Sequence, residues 1–350
     1  MPTLRLTSRL GFSDRLSLCE LGCGPTASFY SRPLSEPLSN APVALRAPSL
    51  ALSAPVEGPF PSADDPPPFN VRRRLSAALP MLTLYAGITT WAYFAWYHKQ
   101  PQNRRLVVNK AADEGFGGNT YAGGADKLGH FYANYLFARV GAQFLIDGGW
   151  KPLWATLVNV TFTLTLYTLV ELKDGFHPGY GFSVQDYMAN VLGNAVAALL
   201  LLVPALDRLF GVRMYYWPSK LYVDGLLYKK DIDVSEDYTG ESVLLVFKLG
   251  GLSAIRSSPL VRFLRYVDLL VGYNARGFLP RPDPSVRREQ ELFFGFSLNL
   301  VEILRDAYPD GQRLGWAAKG LADLSEYVQL TPVLKSVGVV RSTRQPQRGH

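Results

Sequence analysis

The chain has 350 residues, long enough for two domains and a sizeable core. Its formal net charge of +7 suits an anionic surface, but the basic residues are scattered apart from Arg72, Arg73 and Arg74. No basic patch interleaved with aromatics occurs, which excludes nucleic acid as the expected partner. The two cysteines, Cys19 and Cys23, have no Cys or His cluster beside them, which excludes a thiolate zinc site.

Residues 1–70 are rich in Pro, Ser, Ala and Leu without a helical or strand period, and "SADDPPPF" closes them. Proline at that density blocks regular structure, so a disordered leader is predicted. Arg9, Asp14 and Arg15 interrupt any apolar core of a signal peptide. "ELGC" places a small residue before Cys23, as lipid-attachment sites do, but Glu20 stands where those sites want an aliphatic residue. "VRRRLSAALPMLTLYAG" has the charge-then-apolar order of an export signal.

Residues 75–97, "LSAALPMLTLYAGITTWAYFAWY", carry no charge. At about 1.5 Å per residue they cover the ~30 Å hydrocarbon core of a bilayer. The arginines before them and Trp91, Trp96 and Tyr97 near their end are membrane-interface features. Arg72 to Arg74 argue for a cytoplasmic N-terminus, while Lys99, Arg104, Arg105 and Lys110 follow on the other side. A buried helix of a soluble bundle is the competing reading.

A glycine-rich loop, "DEGFGGNTYAGGADK", leads into a second helix over 126–146 with Asp126 as its expected N-cap. At 100° per residue Lys127, His130 and Asn134 share one stripe, and Arg139 points to the opposite side. An arginine facing lipid mid-helix is costly, so Arg139 needs a partner or an interfacial position. A third helix over 152–173 starts at Pro152, where a missing N–H costs nothing, and ends with Glu171 and Asp174 on one face. A fourth starts with Ser183 and Asp186, close to a capping box. Its stripe of Asp186, Asn190, Gly193, Asn194 and Ala197 marks the side packed against other helices.

Beyond Arg213 the period changes. "SKLYVDGLLY", "ESVLLVFKL", "RYVDLLVGYNARGF" and "EQELFFGFSLNLVEI" read as strands of an antiparallel meander. Their alternation with Gly, Tyr and Phe is also that of outer-membrane barrel strands, but four strands cannot close a barrel. A covering helix is expected over 316–328 and a loose polar tail from Arg341. The fold predicted is mainly α: a membrane-associated four-helix bundle over 71–212, then a small antiparallel β-sheet domain over 213–336 and a flexible tail over 337–350.

An up-down bundle brings the start of the second helix, the end of the third and the start of the fourth to one level. Lys127, His130, Glu171, Asp174, Asp186 and Asn190 then form a polar cluster, and three readings of it stand. It can be a buried network that fixes helix register, since buried charges survive only when paired. It can be a ligand or catalytic site, with His130 as a base oriented by Glu171 or Asp174, although no nucleophile accompanies it. It can be a metal site of His130, Glu171 and Asp186, against which Lys127 competes. Asp126 and Asp186 can also be plain helix caps. His177 in "KDGFHPGYGFS" reads as a loop residue outside the cluster. No cofactor motif is present; membrane lipid and a cell-envelope component are the partners expected.

The string "DKLGHFYANYLFAR" followed by "LVELKDGFHPGYGFSVQDYMANVLGNAVA" resembles the YfiM-like family of predicted periplasmic lipoproteins, a family of unknown function. The resemblance is carried by D-K-x-x-H at Asp126, Lys127 and His130, and by E-x-x-D-G at Glu171, Asp174 and Gly175. G-F-S-x-x-D-x-x-x-N-x-x-G follows at Gly181, Phe182, Ser183, Asp186, Asn190 and Gly193. It covers residues 126–197, and the strand-rich half is similar to the carboxy-terminal extension of longer members. A more distant likeness is to VanZ-like membrane proteins, linked to teicoplanin resistance. Those end the middle helix in E-x-x-Q, where this chain has Asp174. The resemblance implies a membrane-associated bacterial envelope protein, and the expected location is the inner membrane or a membrane-attached periplasmic position, with a structural or binding role as the leading expectation. The alternative is a membrane hydrolase or transferase using His130 with Glu171, Asp174 or Asp186.

Overall fold

The computed structural model describes residues 4–7, 70–98, 100–227, 234–278, 287–308 and 316–343. Most of the expected disordered leader, with Cys19 and Cys23, lies outside them. Leu4–Thr7 departs from that expectation and forms a short strand, β1.

The chain is mainly helical, with a small antiparallel sheet. Helix α1 (Val71–Ala92) is capped by the Asn70 side chain, which accepts from Arg73 N at 3.1 Å. It continues as one wider turn, Tyr93–Tyr97. Helix α2 (Ala125–Asp147) is entered through Gly124 at φ +93°, where a Cβ would lie 2.2 Å from the Phe116 ring. Only glycine takes that backbone without strain. Asp126 is therefore not the N-cap the sequence suggested; it lies in the first turn, with its carboxylate turned to other partners. Helix α3 (Pro152–Gly175) starts at Pro152 as expected, and α4 (Val184–Leu202) is capped by Ser183 Oγ, which accepts from Asp186 N at 3.0 Å.

Helix α2 is central: it packs against α1, α3, α4 and the sheet. Gly193 of α4 sits where a Cβ would meet the Phe131 carbonyl oxygen at 2.2 Å, so the two helix backbones touch. Asn159 of α3 donates to the Phe137 and Ala138 carbonyls of α2 at 3.0 and 2.6 Å, and Tyr85 of α1 donates to Asn159 Oδ1 at 3.2 Å. Arg139 finds its partner in Asp207 Oδ1 at 2.6 Å, with the Tyr135 and Tyr327 rings beside its guanidinium.

A short helix, α5 (Pro204–Asp207), leads into β2 (Phe210–Tyr216). This strand escaped the sequence reading because Arg213 breaks its apolar pattern. "SKLYVDGLLY", read as a strand, is helix α6 (Lys220–Leu227) instead. Ser219 Oγ accepts from Tyr222 N at 3.1 Å and Lys220 pairs with Asp224 one turn on, both helix-favouring contacts. Strands β3 (Glu241–Lys248), β4 (Val267–Arg276) and β5 (Arg288–Leu298) lie where alternation placed them, with the short helix α7 (Ser253–Ser257) between β3 and β4. The last predicted strand ends early: Asn299 Oδ1 accepts from Glu302 N and starts α8 (Leu300–Ala307). Helix α9 (Trp316–Ser325) is the expected last helix. The expected loose tail is partly ordered, because β6 (Leu334–Thr343) pairs with β5 and carries Arg341. The sheet order is β1-β6-β5-β4-β3-β2, all antiparallel.

Candidate functional site

The alternating helix directions bring four polar ends together. They are the end of α1, the start of α2, the end of α3 and the start of α4. Buried Lys127 holds the centre: its Nζ lies 2.8 Å from Asp186 Oδ2, 3.0 Å from Asp126 Oδ2 and 3.7 Å from Glu114 Oε1. Ser183 Oγ donates to Glu114 Oε2 at 2.9 Å, and Ser183 N donates to Glu171 Oε2 at 3.3 Å.

His130 stands one turn along α2. Its Nδ1 is 3.1 Å from Asn190 Oδ1 and 3.4 Å from Glu171 Oε1, and its Nε2 is 3.7 Å from Asp126 Oδ1. Behind it runs an amide chain: Asn194 donates to Asn134 at 2.7 Å and Asn134 donates to Asn190 at 2.6 Å. Asp174 accepts from Tyr97 Oη at 2.7 Å, and Asp126 accepts from Tyr238 Oη at 2.8 Å. The expected cluster of Lys127, His130, Glu171, Asp174, Asp186 and Asn190 is thus assembled. His177 stays outside it, with its ring stacked on Tyr180.

Asp126 and Asp186 flank the Lys127 ammonium, and Asp126, Glu171 and Asn190 surround the His130 ring. The cluster is not fully paired. Glu171 Oε1, Asp186 Oδ1 and Asn190 Nδ2 are buried without a hydrogen-bond partner among the described residues.

A cavity of about 850 Å³ reaches this cluster. Asp126, Lys127, His130, Glu171, Asp174 and Asp186 line its polar end, while Asn190 lies behind His130. Ile88, Trp91, Leu136, Leu166 and Leu169 form an apolar wall. Asp126, His130 and Asp186 bring ligand atoms within 4.8 Å of one another, the grouping best placed for a metal ion. Asp126 thus takes the place that the metal reading gave to Glu171.

The sequence reading missed Glu114, Tyr97 and Tyr238. Glu114 was visible as an acid in the glycine-rich loop. The two tyrosines gave no signal, because they come from the end of an apolar helix and from the segment before β3.

Residues 113–202, which hold α2, α3 and α4, match the family model described as predicted periplasmic lipoprotein (DUF2279). The same segment carries the three motifs on which the YfiM-like resemblance rests. The VanZ-like likeness gains no support from this match. No curated protein and no solved structure matches the chain.

Proposed function

We propose that this is a bacterial cell-envelope protein whose helices form a membrane-embedded four-helix bundle, and that its cavity binds the head of an amphiphilic envelope molecule. The observation that carries the reading is the cavity itself, which joins the polar cluster to an apolar wall. Pockets of this size with few convergent polar groups are the usual form of a ligand site. The family description supports an envelope location, compatible with a membrane-attached periplasmic protein. Helices α1, with its added turn, and α3 are long and apolar enough to cross a bilayer. Leu75, Leu79 and Phe94 of the first and Trp154, Leu157 and Phe162 of the second are exposed, as lipid-facing side chains would be.

Eight carboxyl side chains line the cavity against Lys110, Lys127, Lys173 and His130. That balance suits a hydroxyl- or amine-bearing head, as in a lipid-linked sugar or glycopeptide, better than a bare phosphate. Tyrosines 97, 121, 167, 180 and 238 add hydroxyls and ring faces to the same wall.

Mass spectrometry of material extracted from the purified protein tests this. The wild-type chain is expected to carry an amphiphile that His130→Ala and Glu171→Gln, both folded, lose. Identical extracts from all three would overturn the binding role. Release into the soluble fraction by carbonate would overturn the embedding.

The second reading is a membrane hydrolase or transferase with His130 as base and Glu171, Asp174 or Asp186 as partners or metal ligands. Asp186 Oδ1, buried without a hydrogen-bond partner among the described residues, favours it, since reactive sites leave such atoms for substrate.

A further inference from the structure

Both faces of the sheet carry apolar side chains, and one of them is left largely uncovered. One face, turned away from β6's Lys335 and β4's Asp268, carries Val243, Leu245 and Phe247 on β3 and Leu269 and Val271 on β4. Leu292, Phe294, Phe296 and Leu298 continue it on β5, with Val337 and Val339 on β6. These positions are in register: Leu269 faces Phe296, and Phe294 faces Val337. Phe294 is 54% exposed while its neighbour Phe293, on the other face, is 1% exposed. Apart from the strip of Val212, Met214 and Val243 that packs on α2, this apolar face is the outer one.

The inner face has a buried apolar core of Leu244, Val246, Leu270 and Phe293, and it also carries paired charges. Arg213 pairs with Asp268 at 2.7 Å, Asn299 donates to Asp268 at 2.8 Å, and Lys248 pairs with Glu326 at 2.6 Å. The edge of β2 is covered, since Met214 N donates to Tyr327 O and Gln329 N donates to Met214 O. A sheet with one face in water places polar side chains on that face; here the exposed face carries large apolar side chains, as lipid-facing strands do.

The position of the sheet points to the same occupant. Strand β2 runs along α2: Asp207, just before it, pairs with Arg139, and Val212 N donates to Tyr135 Oη. At the other end, Tyr238 before β3 donates to Asp126. On the far side of α2, Asn159 of α3 bonds the Ala138 carbonyl and Glu171 lies beside His130. Exposed Phe162 falls between those two levels. The outer sheet face and the exposed side of α3 thus occupy one band along α2. From Leu292 to Leu298 the belt is about 20 Å tall, close to the apolar band of lipid-facing strands.

We infer that the outer face of the sheet, centred on Leu245, Leu269, Phe294 and Phe296, contacts the acyl chains of the same bilayer that α1 and α3 cross. The inference rests on the membrane reading given above.

A photoreactive residue decides it. p-Benzoylphenylalanine is placed in the full chain at Phe162 on α3, and separately at Leu245 and Phe294 on the sheet. Membranes whose phospholipids carry radioactive phosphate are then irradiated. Labelled lipid adducts are expected at all three positions. Adducts at Phe162 alone would overturn the lipid-facing sheet and leave the membrane reading standing. Adducts at none would overturn both. A peptide adduct at Phe294, to this chain or a second copy, in place of lipid would show that protein covers the face and would also overturn the inference.

Discussion

Lys127 Nζ lies 2.8 Å from Asp186 Oδ2, and this contact joins the first turn of α2 to the first turn of α4. Both side chains are buried, and the same ammonium also neutralises Asp126. Removing Lys127 takes the ammonium away from buried Asp186 and from half-buried Asp126. Lys127→Met is expected to destabilise the protein by about 3–5 kcal/mol. Adding Asp186→Leu should recover part of that loss, because the second change removes one stranded charge. Thermal unfolding in detergent reads both; a single variant as stable as wild type would refute the pairing.

Two helical glycines should respond in opposite ways to alanine. A Cβ at Gly193 would meet the Phe131 carbonyl at 2.2 Å, whereas at Gly129 nothing lies within 4 Å. Gly193→Ala is expected to cost about 1–3 kcal/mol by forcing α2 and α4 apart. Gly129→Ala should gain about 0.5–1 kcal/mol from helix propensity. Chemical denaturation of the pair tests the packing directly; equal effects would mean that α2 and α4 do not touch as described.

Lys127 occupies the place a cation would take between Asp126 and Asp186. Wild-type protein is therefore expected to bind zinc or manganese weakly at Asp126, His130 and Asp186. Lys127→Ala should bind more tightly, with His130→Ala abolishing the gain. Titration calorimetry and elemental analysis measure this. Stoichiometric metal in the wild-type protein would establish the metal reading instead.

The spacing of Lys127, His130 and Asn134, and of Asp186, Asn190 and Asn194, was legible because a helix repeats every 3.6 residues. Alternation of helix direction was enough to bring those stripes to Glu171 and Asp174. Asp126 was misread as a cap, because local sequence cannot tell a capping carboxylate from one claimed by Tyr238, 112 residues away. "SKLYVDGLLY" was misread because a short apolar run suits either period until Ser219 and the Lys220–Asp224 pair are seen in place. Strand β2 was hidden by Arg213, whose partner Asp268 arrives from β4.

By itself the sequence determined the four long helices, strands β3, β4 and β5 and the polar residues that meet at one end of the helices. Those features follow from periodicity and from charges that must be paired when buried. Only the tertiary structure decided that the cluster opens into a cavity, and that Phe294 and Phe296 stay uncovered while Phe293, Arg213 and Asp268 are buried. Both depend on which surfaces remain uncovered after packing, and that is a property of the assembled chain rather than of any segment.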